Sequence, residues 1–364
     1  MAQISNTSNS LYNFIVRDGN GIKGLVDSGL LEVPKIYIQP INERINKLET
    51  KPCDMPPIDL SKLNGKEHEK VVNEIVRAAE TLGFFQVVNH CVPLELLESV
   101  KDSAHAFFNM PPEKKVVYRQ NVSTSLKMRY QTSFAPEIEN VLEWKDYINM
   151  VYSSDEDALQ YWPNECKDVA LEYLKLSSKI VKVILEILIG KLGVELDDSK
   201  IESLIGLKMV NMNYYPACPN PELTVGVGRH SDAGTITVLL QDGIGGLYVK
   251  AEDENDVGKV EWLEIPPIPG ALVINVGDAL EILSNGKYKS SEHRVMTTSN
   301  QSRVSVPLFT LPKFTEKIGP LPELVKKDGL AGYREVLWKD YMDNFYGVAH
   351  EGKKTLNFAK INSS

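Results

Sequence analysis

The chain has 364 residues, of which 43% are hydrophobic and 24% are charged, and this composition excludes a disordered or fibrous protein. Its 40 basic and 49 acidic side chains give a net charge of −9, which argues against a general nucleic-acid-binding protein because such proteins carry a basic face. Four scattered cysteines and a polar N-terminus without a signal-peptide pattern predict free thiols and a cytoplasmic location.

The first half of the chain is predicted to be mainly helical. Apolar residues recur at helical spacing over residues 66–82, and Gly83 is expected to end that helix. The aromatic and β-branched run at 84–88 predicts a buried strand, and Pro93 begins a second helix. A long helix is predicted over 168–192. Its part at 180–192 is the most apolar stretch of the chain, but this stretch is too short and too charged for a bilayer span, so no membrane association is expected.

The second half is predicted to form short strands, followed by a last helix over 333–346. Glycine and proline residues separate the β-rich runs at a spacing typical of a sandwich or barrel. We therefore expect a helical N-terminal part packed on a C-terminal antiparallel β-sandwich, as one cooperative unit. The predicted strands cover residues 207–214, 235–240, 246–250, 260–265, 271–276, 292–297 and 303–309.

The motif His230-Ser231-Asp232, together with His293, is a candidate metal site. Residues i and i+2 of a strand lie on the same side, so the imidazole and the carboxylate can bind one cation, and His293 from a later strand can complete the site. Two histidines and one carboxylate leave coordination positions open, as in the facial triad of non-haem Fe(II) oxygenases. Zinc also accepts such ligands, and the motif alone is equally compatible with a surface histidine beside a capping aspartate.

Arg303 and Ser305 indicate a second binding group, independent of the metal motif. On a strand they lie on the same side, where a guanidinium and a hydroxyl can bind one carboxylate together. An arginine that points into a barrel requires an anionic partner. Combined with the metal motif, this pair predicts a 2-oxo acid with one end on the metal and the other on Arg303 and Ser305.

Further motifs extend over most of the chain: PPID at 56–59, GFFQVVNH at 83–90, NYYPACP at 213–219, VGVGRHSD at 225–232, PGALVINVGD at 269–278, SEHRV at 291–295 and RVS at 303–305. With these motifs the chain resembles the plant 2-oxoglutarate- and Fe(II)-dependent dioxygenases, the family that includes flavonol synthase and anthocyanidin synthase. One departure is Cys91, which stands where the family usually has glycine. A positive φ there would strain a cysteine, and we expect a small effect on stability.

The resemblance implies a mainly β fold with a helical N-terminal part and a double-stranded β-helix (jelly-roll) core of the isopenicillin-N-synthase-like type. It divides the chain into a helical part at 1–206, an Fe(II)/2-oxoglutarate core at 207–312 and a C-terminal helical segment at 313–364. It also implies Fe(II), 2-oxoglutarate as cosubstrate, O2, and ascorbate as reductant. The residues that match the family's site are the iron ligands His230, Asp232 and His293 and the 2-oxoglutarate-binding residues Asn213, Tyr215, Arg303 and Ser305.

Four less specific stretches make the chain similar to the cinnamoyl-CoA ortho-hydroxylases, that is, feruloyl-CoA 6-hydroxylase and coumaroyl-CoA 2-hydroxylase. They are FIVRDGNGIKGL at 14–25, TSF at 132–134 with LEWKDY at 142–147, GRHSD at 228–232, and AHEGKKT at 349–355. The similarity implies ortho-hydroxylation of the ring of a hydroxycinnamoyl-CoA ester (feruloyl-CoA, coumaroyl-CoA or both), leading to coumarins such as scopoletin. We expect a monomer that acts on a small molecule and has no nucleic-acid or membrane partner.

Sequence position suggests candidates for the substrate pocket. Phe309 follows Ser305 by four residues, so it shares the strand face of the carboxylate site and can either stack on the ring or belong to the barrel core. Phe134 is a second candidate. Lys127 and Arg129 lie just upstream of Phe134 and can bind CoA phosphates, although a solvated loop is the simpler interpretation.

Two kinds of alternative stay open at this point. One is another enzyme of the same family: a flavonoid oxidase, an alkaloid demethylase, or an aminocyclopropane-carboxylate oxidase, which uses ascorbate instead of 2-oxoglutarate. The other is a non-catalytic, metal-binding β-sandwich that binds a small acid. Succinate formation with a panel of substrates separates the enzymes, and metal analysis with O2 uptake tests the second alternative. The remaining histidines, including His90 and His350, are interpreted as structural.

Overall fold

The computed structural model describes residues 8–44, 50–119, 122–123, 125, 127–252, 260–350 and 352–361. None of the helices in this part of the chain is long and apolar enough to cross a membrane. The described α-helices are α1 (Ser8–Tyr12), α2 (Gly21–Asp27), α3 (His68–Thr81), α4 (Leu94–Phe108), α5 (Pro112–Lys115), α6 (Asp155–Tyr161), α7 (Lys167–Lys191), α8 (Asp198–Leu204), α9 (Asp278–Leu283), α10 (Pro322–Asp328) and α11 (Trp338–Tyr346).

The strands form two large sheets and one small sheet. They are β1 (Lys51–Pro52), β2 (Ile58–Asp59), β3 (Phe84–Val88), β4 (Met128–Thr132), β5 (Asp146–Tyr152), β6 (Leu207–Tyr215), β7 (Val227–His230), β8 (Ile236–Gln241), β9 (Leu247–Glu252), β10 (Val260–Glu264), β11 (Leu272–Val276), β12 (His293–Val295), β13 (Arg303–Leu311), β14 (Lys317–Ile318) and β15 (Val336–Leu337). The eight-stranded sheet has the order β2-β3-β11-β8-β13-β6-β5-β4, and the five-stranded sheet has the order β1-β10-β9-β12-β7. Strands β14 and β15 pair with each other.

The two large sheets enclose a cavity, and strand β13 shows how the sequence builds it. Arg303, Ser305 and Phe309 alternate along β13 and line the cavity, as the two-residue period of a strand requires. Val306 points to the opposite side, where α4 and α7 cover the outer face of the larger sheet. The hydroxyl of Tyr173 on α7 donates to the carbonyl of Val306 at 3.1 Å. This jelly-roll core with a helical N-terminal region confirms the predicted fold class.

The predicted strands of the second half are all present, with ends that differ by two residues or fewer. The predicted helix over 333–346 is wrong at its start, because α11 begins only at Trp338. The two residues before it form β15, in which Val336 pairs with Ile318 and Leu337 with Lys317. These sheet hydrogen bonds hold the backbone extended in a segment whose local pattern favoured a helix.

The N-terminal part of the chain contributes more strands than expected. Strands β2, β3, β4 and β5 all belong to the eight-stranded sheet, and β5 pairs with β6 over its whole length. The helical part and the core therefore share one sheet. The division at residues 206 and 312 stays a prediction about sequence organisation.

Cys91 carries no left-handed backbone strain. The nearby positive φ belongs to Asn89 (φ 50°), and Cys91 is absent from the described non-glycine residues with positive φ. Its thiol is exposed, and all four cysteines of the chain are free. The neighbouring His90 places Nε2 3.0 Å from the carbonyl oxygen of Gly270, in agreement with the structural role expected for it. A cysteine therefore fits this loop without the strain that a left-handed position would impose.

Gly83 should be the most sensitive position at the end of α3. It has φ +69°, and a Cβ built there would lie 1.8 Å from the backbone oxygen of Lys289. We expect Gly83→Ala to lower the free energy of unfolding by more than about 2 kcal/mol, because the conformational penalty and the backbone clash add. Thermal denaturation checks this. Gly190→Ala is the matched control: it lies in α7 with no atom within 4 Å of the new Cβ, so it should be neutral or slightly stabilising.

Candidate metal centre and active site

The three residues of the predicted metal motif lie together between the sheets. His230 ends β7 and His293 begins β12, and the antiparallel pairing of these strands places the two residues opposite each other. Asp232 lies just beyond the end of β7, with Oδ1 3.6 Å from His230 Nε2 and 3.7 Å from His293 Nε2. The three ligand atoms lie within 4.8 Å of one another. Such an arrangement can hold one metal ion and leave part of its coordination sphere open.

Backbone carbonyls orient both imidazoles. His230 Nδ1 lies 2.8 Å from the oxygen of Gly228, and His293 Nδ1 lies 3.1 Å from the oxygen of Ser291. Since a carbonyl only accepts hydrogen bonds, each Nδ1 carries the proton and each Nε2 keeps its lone pair for a metal. Burial lowers the pKa of His230 well below its usual value, and His293 lowers it further. The ring is therefore in the neutral form that binds a metal.

The carboxylate of Asp232 is oriented in the same way. Its Oδ2 accepts hydrogen bonds from Thr237 Oγ1 at 2.6 Å and from Asn275 Nδ2 at 2.8 Å. Both donors lie on central strands of the eight-stranded sheet, β8 and β11. They occupy one carboxylate oxygen and leave Oδ1, the atom that faces both histidines, for the metal. These two supporting residues were not recognised in the sequence, because neither belongs to the metal motif.

Among the residues predicted to bind 2-oxoglutarate, Arg303 gives the clearest evidence for the kind of ligand that the site accepts. It is only 1% exposed, and its Nη2 donates to Gln241 Oε1 at 2.9 Å. Its Nε and Nη1 have no hydrogen-bond partner among the described residues. A buried guanidinium with two unpartnered nitrogens requires an anion. The residues present therefore fit a carboxylate group, such as the distal end of 2-oxoglutarate.

The other residues predicted to bind 2-oxoglutarate surround Arg303. Strand β6 pairs with β13 so that Tyr215 lies opposite Arg303 and Asn213 lies opposite Ser305. The Tyr215 ring centre is 5.1 Å from the Arg303 guanidinium carbon, and Asn213 Nδ2 donates to Ser305 Oγ at 3.4 Å. All four side chains line the same cavity as the metal motif. The structure thus brings the metal motif and the residues predicted to bind 2-oxoglutarate to one cavity.

The rest of the cavity wall is mainly apolar and aromatic. The cavity has a volume of about 170 Å³. Phe309 is half-buried: it lines the cavity and also packs against the main core. Its position is compatible with both roles considered from the sequence, and stacking on a substrate ring stays a prediction. Phe134 lines the cavity as well. The apolar residues around them include Phe84, Met209, Leu239, Leu247, Leu311, Met342 and Phe345.

Phe309→Ala should affect aromatic substrates more than 2-oxoglutarate turnover. The ring of Phe309 is expected to stack on the substrate, and aromatic pairs contribute about 0.5–1.5 kcal/mol beyond burial. We expect product formation to fall roughly tenfold at low substrate, while uncoupled succinate formation changes little. Measuring product and succinate in the same reaction checks this. Phe309→Leu removes the ring but keeps most of the core packing, so it should show the same selective loss of product. Equal losses of product and succinate in Phe309→Ala, with nearly normal activity of Phe309→Leu, would indicate a folding role instead.

His350 is a cavity residue that sequence reasoning missed. It was interpreted as a structural residue, yet its ring stacks on the ring of His230 at 4.4 Å and on that of Phe134 at 3.9 Å. His350 Nδ1 lies 2.7 Å from Glu143 Oε1, and Glu143 forms an ion pair with Lys145 at 3.0 Å. The stretches LEWKDY and AHEGKKT contain these residues, but no local pattern shows that they meet.

The two cations proposed for CoA phosphates have different surroundings. Lys127 pairs with the carboxylate of Asp157, so its charge is already compensated. Arg129 has no ion pair in the described part of the chain and lines a second cavity of about 650 Å³. This larger cavity shares Phe134 and Tyr147, among others, with the cavity at the metal motif. The two spaces therefore adjoin.

Comparisons with known proteins agree with this geometry. The model of the 2OG-Fe(II) oxygenase superfamily matches residues 207–312, and the model described as non-haem dioxygenase in morphine synthesis N-terminal matches residues 55–169. The crystal structure of JOX2 in complex with 2OG, Fe and JA superimposes with a TM-score of 0.80 at 31% identity, covering 94% of this chain and 97% of that one.

Curated relatives match over nearly the whole length. The chain is 58% identical over 352 residues to scopoletin 8-hydroxylase of Arabidopsis thaliana, covering 96% of this chain and 97% of the relative. It is 50% identical over 363 residues to a feruloyl CoA ortho-hydroxylase of Ipomoea batatas, covering 99% of each. With the His-Asp-His cluster and the buried Arg303, these matches show that the chain belongs to the 2OG-Fe(II) oxygenase superfamily and is a 2-oxoglutarate-dependent dioxygenase.

Proposed function

We propose that the protein hydroxylates the aromatic ring of a free phenolic coumarin, with scopoletin as the candidate substrate. The observation that carries this proposal is the charge of the cavity wall. Its lysine and arginine residues, within the described chain, are Lys145 and Arg303. Lys145 is paired with Glu143, and Arg303 is used by 2-oxoglutarate in the proposed site. The remaining space is apolar and aromatic, which suits an uncharged, flat ring. The 58% identity to scopoletin 8-hydroxylase supports the same choice.

The residues of this chain have distinct tasks in the proposed reaction. His230, Asp232 and His293 would hold Fe(II), which would supply the oxidation: O2 and 2-oxoglutarate would yield succinate, CO2 and one new hydroxyl group on the ring. Arg303 and Ser305 hold the distal carboxylate, while the aromatic wall orients the ring and excludes water. One chain supplies all these residues, which supports a monomer as the working unit. The cytoplasmic location and ascorbate as reductant are carried over as proposals from the sequence.

A hydroxycinnamoyl-CoA ester is the second candidate substrate. The specific observation in its favour is Arg129, which has no ion pair among the described residues and lines the larger cavity beside the metal site. A CoA ester places its ring at the metal while its phosphates lie farther out, where such a cation can bind them. The relatives named feruloyl CoA ortho-hydroxylases, at 45–50% identity, support this alternative. In this case the product is an ortho-hydroxylated feruloyl- or coumaroyl-CoA, whose new phenol attacks the thioester after the double bond isomerises, so that CoA leaves and a coumarin closes.

Product analysis by mass spectrometry separates the two proposals. Scopoletin, feruloyl-CoA, coumaroyl-CoA and the free acids are each incubated with the Fe(II)-loaded enzyme, 2-oxoglutarate, O2 and ascorbate, and succinate is measured in parallel. We expect scopoletin to gain one oxygen atom with one succinate formed per product. Coupled product from the CoA esters alone would replace the first proposal by the second. Succinate at the uncoupled background with every compound would refute both.

A further inference from the structure

His350 occupies a position that the metal and 2-oxoglutarate sites leave unexplained. Its ring lies between the ring of His230, with an interplanar angle of 18°, and the ring of Phe134, with an interplanar angle of 20°. Stacking on both faces fixes the plane of the imidazole. Only the edge of the ring is left to make polar contacts, and the ring forms part of the cavity wall.

Glu143 fixes the orientation of the His350 ring within its plane. Glu143 is 3% exposed, and its Oε1 accepts hydrogen bonds from the backbone N–H of Gly228 at 2.7 Å and from His350 Nδ1 at 2.7 Å. Burial alone would raise the pKa of Glu143, but Lys145, His350 and the Gly228 N–H together lower it to about 2. Glu143 is therefore an acceptor only, so Nδ1 of His350 carries the hydrogen.

The contacts of this cluster leave one nitrogen of His350 for a ligand. Lys145 already compensates the charge of Glu143 through their 3.0 Å ion pair. Glu143 engages only Nδ1 of His350, so Nε2 is the ring nitrogen that can hydrogen-bond a ligand. No partner for His350 Nε2 is present in the described part of the chain. The cavity thus has a fixed ring nitrogen without a partner among the described residues, beside a proposed iron ligand.

The backbone after His350 is anchored rather than loosely attached. The N–H of Gly352 donates to the carbonyl of Arg229, next to the metal motif, at 2.7 Å. The ammonium of Lys353 lies 2.8 Å from Glu281 Oε2, and Leu356 is fully buried. The C-terminal segment is thus held against both the metal strand and helix α9. This anchoring is what a residue that positions a ligand requires.

We propose that Nε2 of His350 accepts a hydrogen bond from the phenolic hydroxyl group of the substrate and thereby fixes which ring carbon faces the metal. The inference rests on the proposed function, because both candidate substrate classes carry a phenolic hydroxyl. It makes His350 a specificity-determining residue for phenolic rings. The same ring supports Phe134, so the hydrogen bond and the aromatic wall act on one substrate ring together.

The test compares a phenolic substrate with its methyl ether in the wild type and in His350→Phe. Phenylalanine keeps a flat ring between His230 and Phe134 but removes the acceptor. Binding is measured without O2 in the presence of Fe(II) and 2-oxoglutarate, by tryptophan fluorescence or calorimetry, and KM and kcat are measured in air. We expect the wild type to prefer the phenol over the ether by roughly 3- to 12-fold, the range of one net hydrogen bond, and His350→Phe to lose this preference.

Two further measurements keep the result interpretable. The visible charge-transfer absorbance of the anaerobic Fe(II)–2-oxoglutarate complex shows whether the variant still folds and binds both groups. His350→Gln can place an amide oxygen near the position of Nε2, so it should recover part of the preference for the phenol. Partial recovery would support the hydrogen bond even if His350→Phe proved unstable.

The outcomes separate the inference from the proposed function. An unchanged phenol-to-ether ratio in a correctly loaded His350→Phe, with normal phenol turnover by the wild type, would overturn the role of His350 alone. Equal losses of affinity for the phenol and the ether in His350→Phe would show that the residue acts through its shape. That result would also overturn the proposed hydrogen bond. A wild type that binds and hydroxylates no phenolic ring would overturn the proposed function and the role of His350 with it.

Discussion

Asp232→Ala is expected to abolish hydroxylation, with a loss of more than about 100-fold in turnover. Asp232 supplies the carboxylate of the three-residue cluster, and two neutral imidazoles hold Fe(II) poorly. Loss of a group that merely orients a metal ligand already costs roughly 10–100-fold, so loss of the ligand itself should cost more. Succinate and hydroxylated product, both measured with excess Fe(II) and 2-oxoglutarate, check this.

A metal-binding measurement shows whether the loss has the expected cause. Metal bound to the native state raises the melting temperature, so Mn(II) with 2-oxoglutarate should stabilise the wild type and leave Asp232→Ala nearly unchanged. Asp155→Ala is the control for loss of one negative charge, because Asp155 is exposed and pairs with Lys175 far from the motif in sequence. It should keep nearly full activity. Metal content and turnover of Asp232→Ala equal to those of the wild type would remove Asp232 from the metal site.

The central residues of the site could be predicted because they follow the two-residue period of strands. Arg303, Ser305 and Phe309 were placed on one face from their spacing, and β13 presents all three to the cavity. The pairing of His293 with His230 could not be derived from spacing, since it depends on the register between β12 and β7. The family resemblance supplied that link, and the geometry agrees with it.

Strands β4 and β5 show where local patterns are insufficient. Met128–Thr132 alternates between buried and half-buried positions over only five residues, which is too short to distinguish a strand from a loop in the sequence. Its strand state depends on β5, which in turn pairs with β6 near the centre of the eight-stranded sheet. Long-range pairing of this kind decides the structure of short segments.

The four stretches that resemble the cinnamoyl-CoA ortho-hydroxylases turn out to be neighbours in space. The backbone N–H groups of Ile22 and Lys23, in the first stretch, donate to the carboxylate of Asp146, in the second. Glu143, also in the second, accepts from Gly228 of the third and contacts His350 of the fourth. The four stretches are therefore connected by hydrogen bonds beside the metal motif. Discrimination between related aromatic substrates would be expected in this region.

Arg303→Ala is expected to raise the concentration of 2-oxoglutarate that the enzyme needs by at least about 30-fold. Truncating one partner of a buried, hydrogen-bonded charge pair costs roughly 2–5 kcal/mol. The free nitrogens Nε and Nη1 of Arg303 are the groups available to a carboxylate in the described cavity, and alanine removes both. The KM for 2-oxoglutarate, measured at saturating aromatic substrate, checks the size of the effect.

The same substitution should leave the protein without 2-oxoglutarate nearly as stable as the wild type, because it removes a guanidinium that is 1% exposed and only partly hydrogen-bonded. Thermal denaturation with and without 2-oxoglutarate, in the presence of Mn(II), should therefore show a ligand-induced shift for the wild type and almost none for Arg303→Ala. Arg303→Lys keeps the charge but loses the planar fork, so it should lie between them. Arg77→Ala, at an exposed position of α3, controls for the lost charge. An unchanged requirement for 2-oxoglutarate in Arg303→Ala would mean that the carboxylate binds elsewhere.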